Sequence, residues 1–136
     1  MSLDKGFARI RRQWKKGDTI DVVFPMDPRR VVANEAVKDT AGKSAIERGP
    51  LVYCLEGADN GGRVLNLLLP DEIALVPEWR PDLLKGVVVV KGKALAVMKS
   101  ADGSLAPPKE QDILAIPYYA WSHRGTGEMA VWLPRK

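Results

Sequence analysis

The sequence has 136 residues, 46% hydrophobic and 28% charged, a globular balance that excludes disorder and low complexity and suits one compact unit. Its 21 Lys and Arg exceed 17 Asp and Glu, and the excess lies in residues 1–50, which hold 11 basic against 7 acidic side chains. A single cysteine, Cys54, excludes an internal disulfide and a multi-cysteine zinc site, and no apolar run approaches the ~20 residues of a membrane helix.

Ala8, Ile10 and Trp14 read as a strand, Lys16-Gly17-Asp18 as a turn, and Ile20, Val22, Phe24 and Met26 as one face of a second strand. This period-two pattern predicts a hairpin over 8–26, stopped by Pro25 and Pro28. A short strand is expected over 31–37. The run Leu51-Val52-Tyr53-Cys54-Leu55 is apolar on both faces, as in a strand covered on two sides. Asp59-Asn60-Gly61-Gly62 is a loop, 64–69 a short apolar run, 73–76 a strand, and 77–81 an irregular connection.

Four consecutive valines, Val87 to Val90, are stiff at χ1 and favour extended backbone. With Lys91-Gly92 as a turn they predict a hairpin over 87–98. Asp102-Gly103 and Pro107-Pro108 mark a long loop. The last strand pair is expected between 113–121 and 129–133, joined by a polar loop over 122–128. With 12 Gly and 10 Pro punctuating short apolar runs, and no helical periodicity, the fold class is all-β: an antiparallel β-sandwich of short strands.

The residues that could carry chemistry are few. Thr40-Ala41-Gly42-Lys43-Ser44 imitates the end of a phosphate-binding loop, but Val37 stands where that loop needs glycine. His123 is the single histidine and Ser122 adjoins it, so along a strand their side chains would diverge. Cys54 lies in an apolar strand without a base beside it and reads as a buried structural thiol. Glu47, Glu56, Asp112 and Glu128 give no reason to be paired as in a glycosidase, and each reads as a surface or strand-end charge. No catalytic residue, metal site or cofactor is expected. The basic residues Arg9, Arg11, Arg12, Lys15 and Lys16 could attract phosphate, but no nucleic-acid-binding motif accompanies them, and a solvated strand face outweighs that reading. Trp14, Trp79, Trp121 and Trp132 could stack on sugar rings, though packing in a core or domain interface is the commoner fate of such side chains. The ligand-binding candidates are Trp121, His123, Arg124 and Glu128, where polar groups gather near aromatics in a strand-end loop.

Three stretches resemble a known family: Arg11-Arg12-Gln13-Trp14-Lys15-Lys16-Gly17-Asp18 through Phe24-Pro25-Met26, Arg48-Gly49-Pro50-Leu51-Val52-Tyr53-Cys54-Leu55-Glu56, and Ala115-Ile116-Pro117-Tyr118-Tyr119-Ala120-Trp121 with Arg124-Gly125 and Met129-Ala130-Val131-Trp132-Leu133-Pro134. Together they resemble the C-terminal part of glycoside hydrolase family 127, the β-L-arabinofuranosidase-like group, from Gly6 to Pro134. The sequence departs from that pattern at His123, where asparagine is usual.

The resemblance implies that hydrolysis belongs to a separate α/α-barrel with a zinc-bound cysteine nucleophile and glutamates, none of which has a counterpart here; Cys54 matches a different cysteine. It implies an accessory, non-catalytic β region, cut from a longer protein, with Met1-Ser2-Leu3 as a cloning leader. A boundary is expected near 57–63, with 6–56 ending a middle sandwich and 64–134 forming the C-terminal one. The expected partners are the catalytic barrel domain and a second copy in a homodimer; carbohydrate binding through surface Trp and Tyr is the alternative function, and weak basic nucleic-acid binding the third. Neither nucleic acid nor membrane is expected as a partner. No signal peptide is read, because Lys5, Arg9, Arg11 and Arg12 precede any apolar core, and a cytoplasmic location is expected.

Overall fold

The computed structural model describes residues 1–135. The architecture is all-β and antiparallel, as the sequence predicts. Strands β1 (Ser2–Asp4) and β2 (Phe7–Arg9) form a hairpin of their own. The other nine share one sheet: β3 (Pro28–Val32), β4 (Lys43–Arg48), β5 (Leu51–Glu56), β6 (Leu67–Leu68), β7 (Val76–Arg80), β8 (Val87–Ala96), β9 (Lys109–Pro117), β10 (Met129–Ala130) and β11 (Leu133–Pro134). Its spine runs β11-β4-β5-β9-β8-β6, with β3 on β4, β7 on β8 and β10 on β5. The sheet curls until its ends meet, where the Leu69 amide donates to the Pro134 carbonyl at 2.8 Å.

Curling gives the sheet a packed inner face and a partly covered outer one. Ile46, Tyr53, Leu55, Leu67, Val90, Ile113, Ala115 and Leu133 fill the interior. Cys54, Val87, Val89 and Ile116 lie on the other side beneath Leu83, Leu84, Met129 and Val131. Alternate residues of β5 thus enter two different clusters, which is why the run reads apolar on both faces. Cys54 is fully buried, and burial pushes its thiol up to about 12 from the ordinary 9.0. A raised pKa means that the fold favours the neutral thiol. Its contribution is complete below 9.0 and is lost as pH climbs toward about 12. We expect Cys54 to ignore a thiol-titrating disulfide reagent at neutral pH and to react fully in denaturant; rapid labelling of the folded chain would contradict this burial.

Several local expectations are corrected. Residues 10–27 form no strand: Lys15–Asp18 does turn, with the Asp18 amide donating to the Lys15 carbonyl at 3.1 Å, but its flanks pair with nothing among the described residues. Alternation there supplies a sheet face without a neighbouring strand. The third strand starts at Pro28 and ends at Val32, earlier than expected. Lys91-Gly92 is no turn but the middle of the ten-residue β8. Glycine suits the position for another reason: a Cβ on Gly92 would lie 3.1 Å from the Ala74 carbonyl oxygen, a tight approach to backbone. Pro77 does not break β7, which pairs only with β8 and so tolerates proline along its free edge. Finally, β10 and β11 pair with β5 and β4 instead of β9.

Candidate functional site

Strand pairing around β5 builds the site. β9 pairs with β5 at Tyr53 to Leu55, and β10 pairs on the opposite side at Leu55 and Glu56. The chain leaving β9 must therefore cross the end of β5 to reach β10. It does so through a 3-10 turn at Tyr118–Ala120 and the loop over 121–128. Glu56 ends β5 beneath this arch and remains only 7% exposed. A second 3-10 turn, Gly57–Asp59, follows it at once. Gly57 permits a tight fold-back, since a Cβ there would lie 2.8 Å from the Gly62 carbonyl oxygen.

The arch is pinned by charge. Arg124 donates through Nη2 to Glu56 Oε2 at 2.5 Å, and through Nη1 and Nη2 to the two carboxylate oxygens of Asp59 at 2.6 and 2.5 Å. The Asp59 fork and the Glu56 bond together hold the guanidinium pKa above its ordinary value. The other oxygen of Glu56 accepts the Ser122 amide at 2.7 Å. Glu128 closes the loop's far end: its Oε2 accepts the amides of Val64 and Leu65 at 2.8 and 3.0 Å, and its carbonyl accepts the Gly57 amide at 2.8 Å. The amides of Leu65 and Val64 keep the Glu128 carboxyl below its ordinary pKa, so the tie holds at neutral pH and fails as pH falls through that lowered value.

Asn60 fixes the floor. It is 3% exposed, donates from Nδ2 to the carbonyls of Glu56 and Leu114 at 2.8 and 3.0 Å, and accepts the Leu114 amide at 3.0 Å. One side chain thus ties the end of β5 to the middle of β9 where the two strands part.

Of the four ligand-binding candidates, Trp121, Arg124 and Glu128 border one open groove of about 770 Å³, together with Glu56, Ser122 and Thr126. His123 does not line it; its Nδ1 stands 3.1 Å from the Ala120 carbonyl. Sequence reasoning missed Glu56, Asp59 and Asn60. Glu56 read as a strand-end charge, and it does end a strand, but an arginine distant in sequence makes its burial tolerable. The one legible signal is that a carboxylate directly follows an apolar run.

The remaining candidates lie elsewhere. Trp14, Trp79 and Trp121 are exposed and Trp132 is half-buried. In the basic N-terminal stretch, Arg9 pairs with Asp4 at 3.2 Å, and Arg12 pairs with Asp18 at 3.2 Å while lying over the Trp14 ring. No group of three or more His, Cys, Asp or Glu among the described residues is placed to hold a metal ion. Chemically, the carboxylates under the arch are hydrogen-bonded anions, suited to holding the loop and to accepting hydrogen bonds.

Comparison with known proteins adds a relationship. Residues 28–134 match the family model described as the glycoside hydrolase family 127 C-terminal domain. The chain is 35% identical over 149 aligned positions to the non-reducing end beta-L-arabinofuranosidase of Bifidobacterium longum subsp. longum, covering 98% of this chain and 22% of that protein. Among solved structures, it resembles a family 127 beta-L-arabinofuranosidase from Geobacillus stearothermophilus T6, with TM-score 0.75 and 46% identity over 83% of this chain and 19% of that one. A second, a family 127 beta-arabinofuranosidase, gives TM-score 0.83 and 43% identity over 92% of this chain and 20% of that one. The chain spans about a fifth of the length of each of these relatives.

Proposed function

The chain belongs to glycoside hydrolase family 127, as its C-terminal domain, and from that premise we propose that it is an accessory, non-catalytic support for the barrel that carries out hydrolysis in a β-L-arabinofuranosidase-like protein. The observation that carries this reading is the exposed row Ile20, Val22, Val23 and Phe24, of which Val23 is 90% exposed. Consecutive apolar side chains facing solvent mark a surface meant to be covered. The backbone of residues 19–27, which pairs with no strand among the described residues, offers hydrogen bonds to an incoming element. A catalytic domain covering this row gains apolar burial, and this domain in turn restrains it.

The chemistry supports the same reading. A glycosidase needs a carboxylic acid able to protonate the leaving group and a second group to attack or to activate water. Glu128 is held ionised by two amides, Glu56 and Asp59 are bound to Arg124, and the Cys54 thiol is buried with its pKa raised. Tied to Arg124 or held ionised, none of the three carboxylates offers the acid that must protonate a leaving group.

We expect the 136-residue chain alone, with or without added Zn²⁺, to release no more phenol from an aryl β-L-arabinofuranoside than buffer does. Enzyme-like turnover would remove the non-catalytic assignment. Mixed with the Geobacillus relative shortened by its matching region, the chain should bind and raise that protein's Tm, and Val23→Asp with Phe24→Asp should abolish binding. Self-association of the chain through the same row, without binding the shortened relative, would replace the barrel by a second copy as the partner.

A further inference from the structure

We propose that the groove beneath Trp121 is a carbohydrate-binding site for a short arabinose-containing oligosaccharide; the choice of sugar rests on the family reading above, the site itself on geometry. Trp121 is 39% exposed and borders the groove. Tyr118 stacks on it with ring centroids 5.9 Å apart and planes 15° from parallel. Tyr118 does not line the groove and Trp121 does, so the stack holds in place an indole that borders it. A held aromatic plane is the surface on which the C–H face of a sugar packs.

Beside that plane the lining is polar. The hydroxyl-bearing residues Ser122 and Thr126 line the groove. Glu128 Oε2 is taken by two amides, but among the described residues its Oε1 accepts no hydrogen bond, leaving a fixed anionic acceptor for a sugar hydroxyl. The volume of about 770 Å³ lies within the range of small-ligand sites.

Charge selects among polar ligands. Glu56 and Glu128 face one Arg124 in the lining, and Arg124 is already engaged by carboxylates. A phosphate or carboxylate ligand would meet net negative charge, whereas a neutral polyol meets acceptors and donors. The pinned arch stands in place before any ligand arrives, so binding spends little on ordering the loop.

The test titrates the whole chain with arabino-oligosaccharide and follows backbone amides by NMR. Saturable shifts centred on residues 121–128 are expected, with affinity falling about tenfold in Trp121→Ala and unchanged in Trp79→Ala, whose indole is exposed on β7 outside the groove. Should Trp121→Ala fail to fold, Thr126→Val, at an exposed loop position, decides instead, and a severalfold loss is expected. Absence of saturable shifts at millimolar sugar overturns the proposal, as does unchanged affinity in the folded variant. The docking experiment contains no sugar, so a chain that binds the shortened relative yet ignores oligosaccharide sinks this site and leaves the support function standing.

Discussion

Replacing Arg124 with alanine is expected to cost about 3 kcal/mol in chemical denaturation, because it strands two carboxylates under a loop. Glu56 and Asp59 side chains are only 10% and 13% exposed, and the arginine that neutralises them is 24% exposed. A solvent-facing ion pair contributes about 0–1 kcal/mol. This one differs because the arch shields Glu56 from water, and losing the cation leaves it desolvated without compensation. The partial exposure of Arg124 keeps the figure at the low end for a broken buried pair. Arg124→Lys should recover less than half of the loss, since one ammonium cannot replace a planar fork that bonds Asp59 through two nitrogens while reaching Glu56. Glu56→Gln combined with Arg124→Met should cost less than the two single changes added together, the mark of direct coupling. A loss below about 1 kcal/mol in Arg124→Ala would show that the triad behaves as surface charge.

Asn60→Ala should be comparably severe, also about 3 kcal/mol. Its three side-chain hydrogen bonds satisfy the Glu56 carbonyl and both the amide and carbonyl of Leu114. Each bond contributes about 1 kcal/mol net, and a buried backbone group left unpaired costs about as much or more. Asn60→Asp keeps the shape and the acceptor but cannot donate to the two carbonyls, and it places a negative charge close to them. It should be no milder than alanine. Hydrogen exchange separates this tie from general destabilisation: the Leu114 amide should lose protection first and by the largest factor. Uniform loss of protection across β5 and β9, or a cost under about 1 kcal/mol, would deny Asn60 this role.

Both changes act on residues that local pattern treats as ordinary. Asp59 and Asn60 stand in a stretch rich in turn-forming residues and do occupy a turn, yet their side chains bond to Arg124 and Leu114. The Trp121 loop was legible as a cluster of polar and aromatic residues between two strands. That Trp121, Arg124 and Glu128 share a groove while His123 turns aside depends on how the arch crosses β5. His123 instead approaches a carbonyl of the preceding 3-10 turn, a contact that adjacency in sequence does not reveal.

Chain order alone was enough for the fold class and for most strand positions. Valine runs, and the glycines and prolines that separate the apolar segments, are local constraints on φ, ψ and χ1, and they act wherever the chain goes. The doubly apolar reading of 51–55 held at Tyr53, Cys54 and Leu55, which enter two clusters, whereas Val52 stays exposed. Partner choice leaves no local mark. Whether 129–134 pairs with β9 or inserts beside β4 and β5, and whether Lys91-Gly92 bends or continues a strand, depends on elements far along the chain competing for the same hydrogen bonds. The fate of Glu56 is of that kind: a carboxylate is buried only where a cation meets it, and this cation comes from 68 residues away. Local sterics set what each segment can be; three-dimensional packing decides which neighbour it finds and which charges it can keep out of water.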